Sequence, residues 1–95
     1  MLTGDPEAEL QLVEQIARPL AESGGALLET VDAYLEHGGS LEGCARQLYV
    51  HANTVRYRLK RVTEITGRSP SNPRDAQVLR TALAVGRLAR ARGLW

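Results

Sequence analysis

The chain has 95 residues, 43% hydrophobic and 24% charged, which is enough for one small core and argues against disorder. Fourteen Leu and twelve Ala against no Phe and few β-branched residues favour helix over sheet. No apolar run approaches the roughly 20 residues a membrane span needs, nothing resembles a signal peptide, and a single Cys excludes an internal disulfide or a cysteine-built zinc site. The cytoplasm is the expected compartment.

Net charge is only +1, but it is unevenly placed. Residues 1–47 carry nine acidic and two basic side chains; residues 48–95 carry two acidic and ten basic ones. A coding bias explains eleven Arg against one Lys, yet not why the acids crowd into the other half. The asymmetry points the second half toward a polyanion.

In chain order, Met1–Gly4 reads as a ragged start, and Asp5-Pro6 as an N-cap followed by proline at the first helical position. Leu10, Val13, Ile16, Ala17 and Leu20 recur at helical spacing, and Pro19 predicts a kink or break at Arg18. Gly24-Gly25 closes this segment, so residues 1–25 form an N-terminal helix with a kink ahead of the remainder, 26–95. The next helix is expected over Ala26–Glu36, burying Leu27, Leu28, Val31 and Leu35 beside Tyr34, with His37 tending free carbonyls before the Gly38-Gly39 stop. Ser40 is an N-cap for Leu41–Leu48, with Leu41, Cys44, Ala45 and Leu48 inward. Tyr49-Val50-His51 makes a turn, and a longer helix follows from Ala52 to Thr66, stopped by Gly67. After the linker Ser69–Pro73, Asn72 caps a last helix over about residues 73–90. All of this predicts one all-α domain, a small bundle of about five helices.

Residues 40–62 have the layout of a helix-turn-helix: two helices, a three-residue turn, a small Ala45 at the crossing, Leu48 and Val50 plugging the angle, and Val55, Leu59 and Val62 as an anchoring stripe. At about 100° per residue, the opposite face of the second helix presents Asn53, Arg56, Tyr57, Lys60 and Arg61, flanked by Thr54. No carboxylate interrupts it before Glu64. Arg reads guanine, Asn reads adenine, and hydroxyls and Lys reach phosphate. His51, Asn53, Thr54, Arg56 and Tyr57, near the helix start, are therefore the residues expected to reach base edges, with a local cap or turn role as the alternative for His51, and Arg58, Lys60 and Arg61 are expected at the DNA backbone.

The stretch Val50-His-Ala-Asn-Thr-Val-Arg-Tyr-Arg-Leu-Lys-Arg-Val62, followed by Ile65-Thr-Gly67, resembles the C-terminal helix-turn-helix of PucR-type bacterial transcriptional regulators, a module shared with CdaR-like sugar-diacid regulators and more distantly similar to the Fis-type domain. Leu27–Leu41 resembles that family's lead-in helix, and Asn72-Pro-Arg-Asp75 its final helix start. The resemblance covers roughly residues 20–90 and implies a module fused behind a longer sensory or regulatory region that would hold the effector site. Ala52 departs from the Pro often found there, which loosens the helix start. Tyr49 departs from the family's His and from the Gly preferred in many such turns, and its Cβ predicts an ordinary negative φ.

Other chemistry finds little support. Two His and one Cys far apart make no metal site, and Cys44 reads as a packed small residue. The acidic residues pair with no base, and no glycine-rich phosphate loop is present, so neither an enzyme nor a cofactor is implied. The last helix carries two apolar stripes, Leu79-Leu83-Gly86 and Val78-Ala82-Val85-Ala89. The second serves either a homodimer through that helix or a broadly buried helix within one chain. Double-stranded DNA is the expected partner, and the alternative is a helical protein–protein module without DNA contact.

Overall fold

The computed structural model describes residues 6–93. Over them the chain is helical, without a strand: α1 (Pro6–Leu12), a π-helical turn (Val13–Ala17), α2 (Arg18–Glu22), α3 (Ala26–Glu36), α4 (Leu41–Leu48), α5 (Ala52–Thr66) and α6 (Pro73–Ala91). The first three segments run end to end, so the described chain is an all-α bundle of five rods. The expected Asp5 cap lies outside the described residues.

The N-terminal rod departs from expectation in one place. Arg18 N–H donates to Val13 O, one residue further back than in an α-helix, and the backbone at Ala17 and Arg18 stays right-handed helical. The helix therefore continues through Arg18-Pro19, and its irregularity falls one turn earlier. This wider turn sits where an α-helix would press the Pro19 ring against the Gln15 carbonyl. Val13, Ile16, Ala17 and Leu20 are buried as expected, whereas Leu10 is 58% exposed.

That rod lies against α6, and α3 spans both α5 and α6. Leu20, Val31, Val55, Val62 and Leu79 meet in one core with no exposure to solvent beyond rounding. Ala82, Leu83, Val85 and Gly86 are all buried, so both apolar stripes of α6 are taken up largely within the chain. Of the face considered for a homodimer, Ala82 and Val85 are buried within the chain, whereas Val78 and Ala89 are half-buried.

The turns are held by local chemistry. Gly38 and Gly39 take positive φ after α3, and Gly39 N–H returns to Tyr34 O at 3.0 Å. Asn72 Oδ1 accepts from Arg74 N (2.9 Å) and Asp75 N (3.0 Å), capping α6 as its sequence position predicts. Asp75 in turn accepts from Ser69 N at 3.0 Å and pairs with Arg68 at 3.3 Å, closing the linker between α5 and α6. The Ser69 backbone bond, helped by Arg68 and Arg74, holds the Asp75 carboxyl below its ordinary 3.8 against a smaller opposing effect of burial.

His37 behaves differently from its sequence reading. Its ring does not tend the α3 carbonyls; Nε2 donates to Gln47 Oε1 on α4. The ring lies so close to α4 that a Cβ at Gly43 would stand 3.1 Å from His37 Nδ1 and 3.2 Å from Ser40 Oγ. A side chain at Gly43 would have to push the His37 ring or the Ser40 hydroxyl back by a few tenths of an ångström.

Candidate nucleic-acid interface

Every end of the two motif helices is fixed by a named group. Ser40 Oγ accepts from Gly43 N at 3.0 Å and starts α4. At its far end Val50 N–H reaches Ala45 O at 3.0 Å and Tyr49 N–H reaches Arg46 O at 3.3 Å, the paired bonds of a Schellman stop. Cys44 and Ala45 are buried at the crossing, and Leu48 and Val50 pack partly buried against the core.

That stop overturns the expectation for Tyr49, whose φ is +57° and ψ +42°. The two Schellman bonds need a left-handed residue between them, and with Val50 committed to the core the turn has no other place for it. The local preference of Tyr, worth roughly 1–2 kcal/mol, is overridden. Its side chain is 94% exposed.

His51 opens α5 as an N-cap: its Nδ1 accepts from Asn53 N at 3.0 Å. An accepting Nδ1 puts the ring proton on Nε2, which is left as a donor at the start of the helix. This cap also secures the helix start where Ala52 replaces a proline. Val55 and Val62 are fully buried and Leu59 partly so, which sets the rotation of α5 about its axis.

That rotation leaves Asn53, Arg56, Tyr57, Lys60 and Arg61 exposed on one face, with Thr54 half-buried at its edge. Arg56 Nη1 donates to Asn53 Oδ1 at 2.9 Å, so two of the side chains expected to read bases already hold each other. Arg61 pairs with Glu64 at 2.6 Å. Four cations stand between residues 53 and 61 with no acid among them.

Arg58 is placed apart from this group. It is half-buried and its Nη1 donates at 3.2 Å to Thr30 Oγ1 on α3, whose side chain is fully buried. The same hydroxyl donates to Ala26 O at 2.6 Å, and Cys44 Sγ donates to Thr30 O at 3.5 Å, so α3, α4 and α5 meet at one polar point. Burial pushes the Cys44 thiol pKa up, partly offset by the Arg58 charge. The signal for Arg58 was present in the spacing: three residues past Val55 is about 300° of rotation, only about 60° from the core direction. Thr30, three residues past Leu27 and next to Val31, carried the same signal in its spacing, which its polar side chain masks.

Among the described residues, no group of three or more His, Cys, Asp or Glu side chains is placed to hold a metal ion, and no helix is long and apolar enough to cross a membrane. A family model for the PucR C-terminal helix-turn-helix domain matches residues 27–85. The chain belongs to this family. Among PucR-type relatives, the purine catabolism regulatory protein of Bacillus subtilis is 43% identical over 66% of this chain and 12% of its own length. The carbohydrate diacid regulator of Escherichia coli is 34% identical over 86% of this chain and 21% of its own. An uncharacterised protein of Mycobacterium tuberculosis is 59% identical over 92% of the chain, again 21% of its own length. The chain thus spans about a fifth or less of the curated relatives it matches. The crystal structure of a regulator of polyketide synthase expression from Bifidobacterium adolescentis superimposes with a TM-score of 0.84 at 46% identity, over 90% of this chain and 34% of that one. The helix-turn-helix of a transcriptional-regulator family is therefore the setting of the exposed α5 face.

Proposed function

We propose that the chain binds double-stranded DNA sequence-specifically, with α5 in the major groove, as the C-terminal DNA-binding domain of a bacterial transcriptional regulator. The observation that carries this reading is the exposed α5 face, where Arg56 and Asn53 stand hydrogen-bonded at the helix start and Lys60 and Arg61 follow one turn on. Arg56 and Asn53 suit bidentate contacts to guanine and adenine, and Tyr57, Thr54 and the His51 Nε2–H suit further edges or phosphates. Lys60 and Arg61 suit the backbone, Arg61 exchanging Glu64 for a phosphate on binding. Arg58 acts in this reading by seating α5 on α3 at Thr30. Effector sensing is assigned to the parts of the longer regulators that this chain does not cover, and in this reading the chain acts in the cytoplasm as a binding domain.

The test is selection from a random duplex pool, followed by anisotropy over a salt series on the enriched site. Arg56→Ala should cost about 1–3 kcal/mol on that site and much less on random duplex. Lys60→Ala should weaken both alike and reduce the salt slope by about one. Failure to bind any duplex at low salt would shift the weight to a helical protein–protein module that uses the acidic first half and the second apolar stripe of α6 and not this face.

A further inference from the structure

Helix ends in this chain follow one habit with one exception. Gly24, Gly38, Gly39, Gly67 and Gly93 occupy the other positive-φ positions among the described residues, with φ between 64° and 88°. Glycine carries no Cβ to collide with the following carbonyl, so it takes this conformation at no steric cost. The stop of α5 uses Gly67 in this way; the stop of α4 uses Tyr49 at φ 57°. Packing does not repay the difference, since Tyr49 is 94% exposed. The turn needs the left-handed conformation but not a tyrosine in it, and a costly side chain left in solvent where glycine would serve is a pointer to a use outside the fold.

Tyr49 stands two residues before His51, so their Cα atoms lie within about 7 Å of each other. A ligand gripped by the start of α5 would pass beside it. We propose that Tyr49 is a DNA-backbone contact, its phenol hydroxyl donating to a phosphate oxygen next to the reading helix. The inference rests on the DNA reading of α5 and adds to it a residue outside that helix. Tyr hydroxyls serve this purpose because they donate one directed hydrogen bond and bring a flat ring against the sugar. Being neutral, the phenol displaces no counterion, which separates its effect from that of Lys60 or Arg61.

The experiment compares the chain with Tyr49→Gly and Tyr49→Phe by thermal melting and by anisotropy on a selected and a random duplex. Tyr49→Gly should raise Tm by about 4 °C, because the left-handed position is relieved, and should weaken binding to both duplexes about five-fold with the salt slope unchanged. Tyr49→Phe should melt with the parent and bind both duplexes more weakly than the parent, by no more than the glycine variant does, since it loses the hydroxyl and keeps the ring. A glycine variant that melts higher and binds as tightly as the parent overturns the proposal, as does a phenylalanine variant with full affinity. A loss confined to the selected duplex also overturns it, since the contact would then be to a base. A parent chain that binds no duplex removes the DNA reading itself, and this assignment with it.

Discussion

The two halves of the molecule are held by different means. Around α3, α4 and α5, nearly every junction has a polar side chain in it: Ser40 and His51 cap helix starts, His37 reaches Gln47, and Thr30 gathers Arg58 and Cys44. Between the N-terminal rod and α6, burial carries the contact, with Val13, Ile16 and Ala17 buried on the π-helical turn and Leu79, Ala82, Leu83 and Val85 buried on α6. Arg18 pairs with Glu14 and Glu22 on the rod's surface, where such pairs contribute little. Directional bonds fix angles, whereas apolar burial supplies energy with little angular preference. A helix that must be presented at a set rotation gains from the first, and a backing that only has to hold gains from the second.

Four measurements would break or sharpen this contrast. The largest effect is expected at Leu20→Ala, which empties a fully buried site in the rod and should cost about 2–5 kcal/mol in denaturant unfolding. A loss below about 0.5 kcal/mol would make the rod an ornament and dissolve the comparison. Next comes Thr30→Val, which keeps the shape and removes the hydroxyl between Ala26 and Arg58. It should cost about 1–2 kcal/mol, toward the low end because the guanidinium keeps some access to water. A neutral result would mean that apolar packing alone seats α5. Asn72→Ala removes the acceptor of two α6 amides and should cost about 1 kcal/mol, with the unfolding slope m unchanged.

The smallest effect concerns Asp75. Its folded carboxyl titrates below the unfolded value, so its contribution is complete above the ordinary carboxylate range and is lost as pH falls through the lowered value. Stability measured from about pH 5 to pH 2 should therefore decline less steeply in Asp75→Asn than in the parent. Parallel curves would show that the Ser69 and Arg68 contacts do not favour the charged form.

How far the sequence could be read follows the same division. The bounds of α3, α4 and α5 were readable because Gly38-Gly39, Ser40 and Gly67 act through their own backbone or side chain, with no distant partner needed. The outward face of α5 was readable because rotation about a helix is arithmetic once Val55 and Val62 are anchored. The π turn was not readable: a one-residue widening leaves the apolar spacing nearly intact, and only Leu10, turned to solvent, betrays the drift. Nor was the pairing of His37 with Gln47, ten residues apart, since nothing local to either predicts it. Tyr49 was misread because local preference was weighed without the two backbone bonds that overrule it.

The cover that the N-terminal rod gives α6 bears on how the molecule is handled. The family match begins at residue 27, beyond the rod, so a fragment begun there and carried to the end of α6 would keep that helix and discard its cover. Ala82, Val85 and their neighbours would then face water as a continuous greasy strip, and such strips adhere to one another. A trimmed fragment that pairs or precipitates would be reporting a wound left by the cut, and its stoichiometry should not be carried over to the uncut chain.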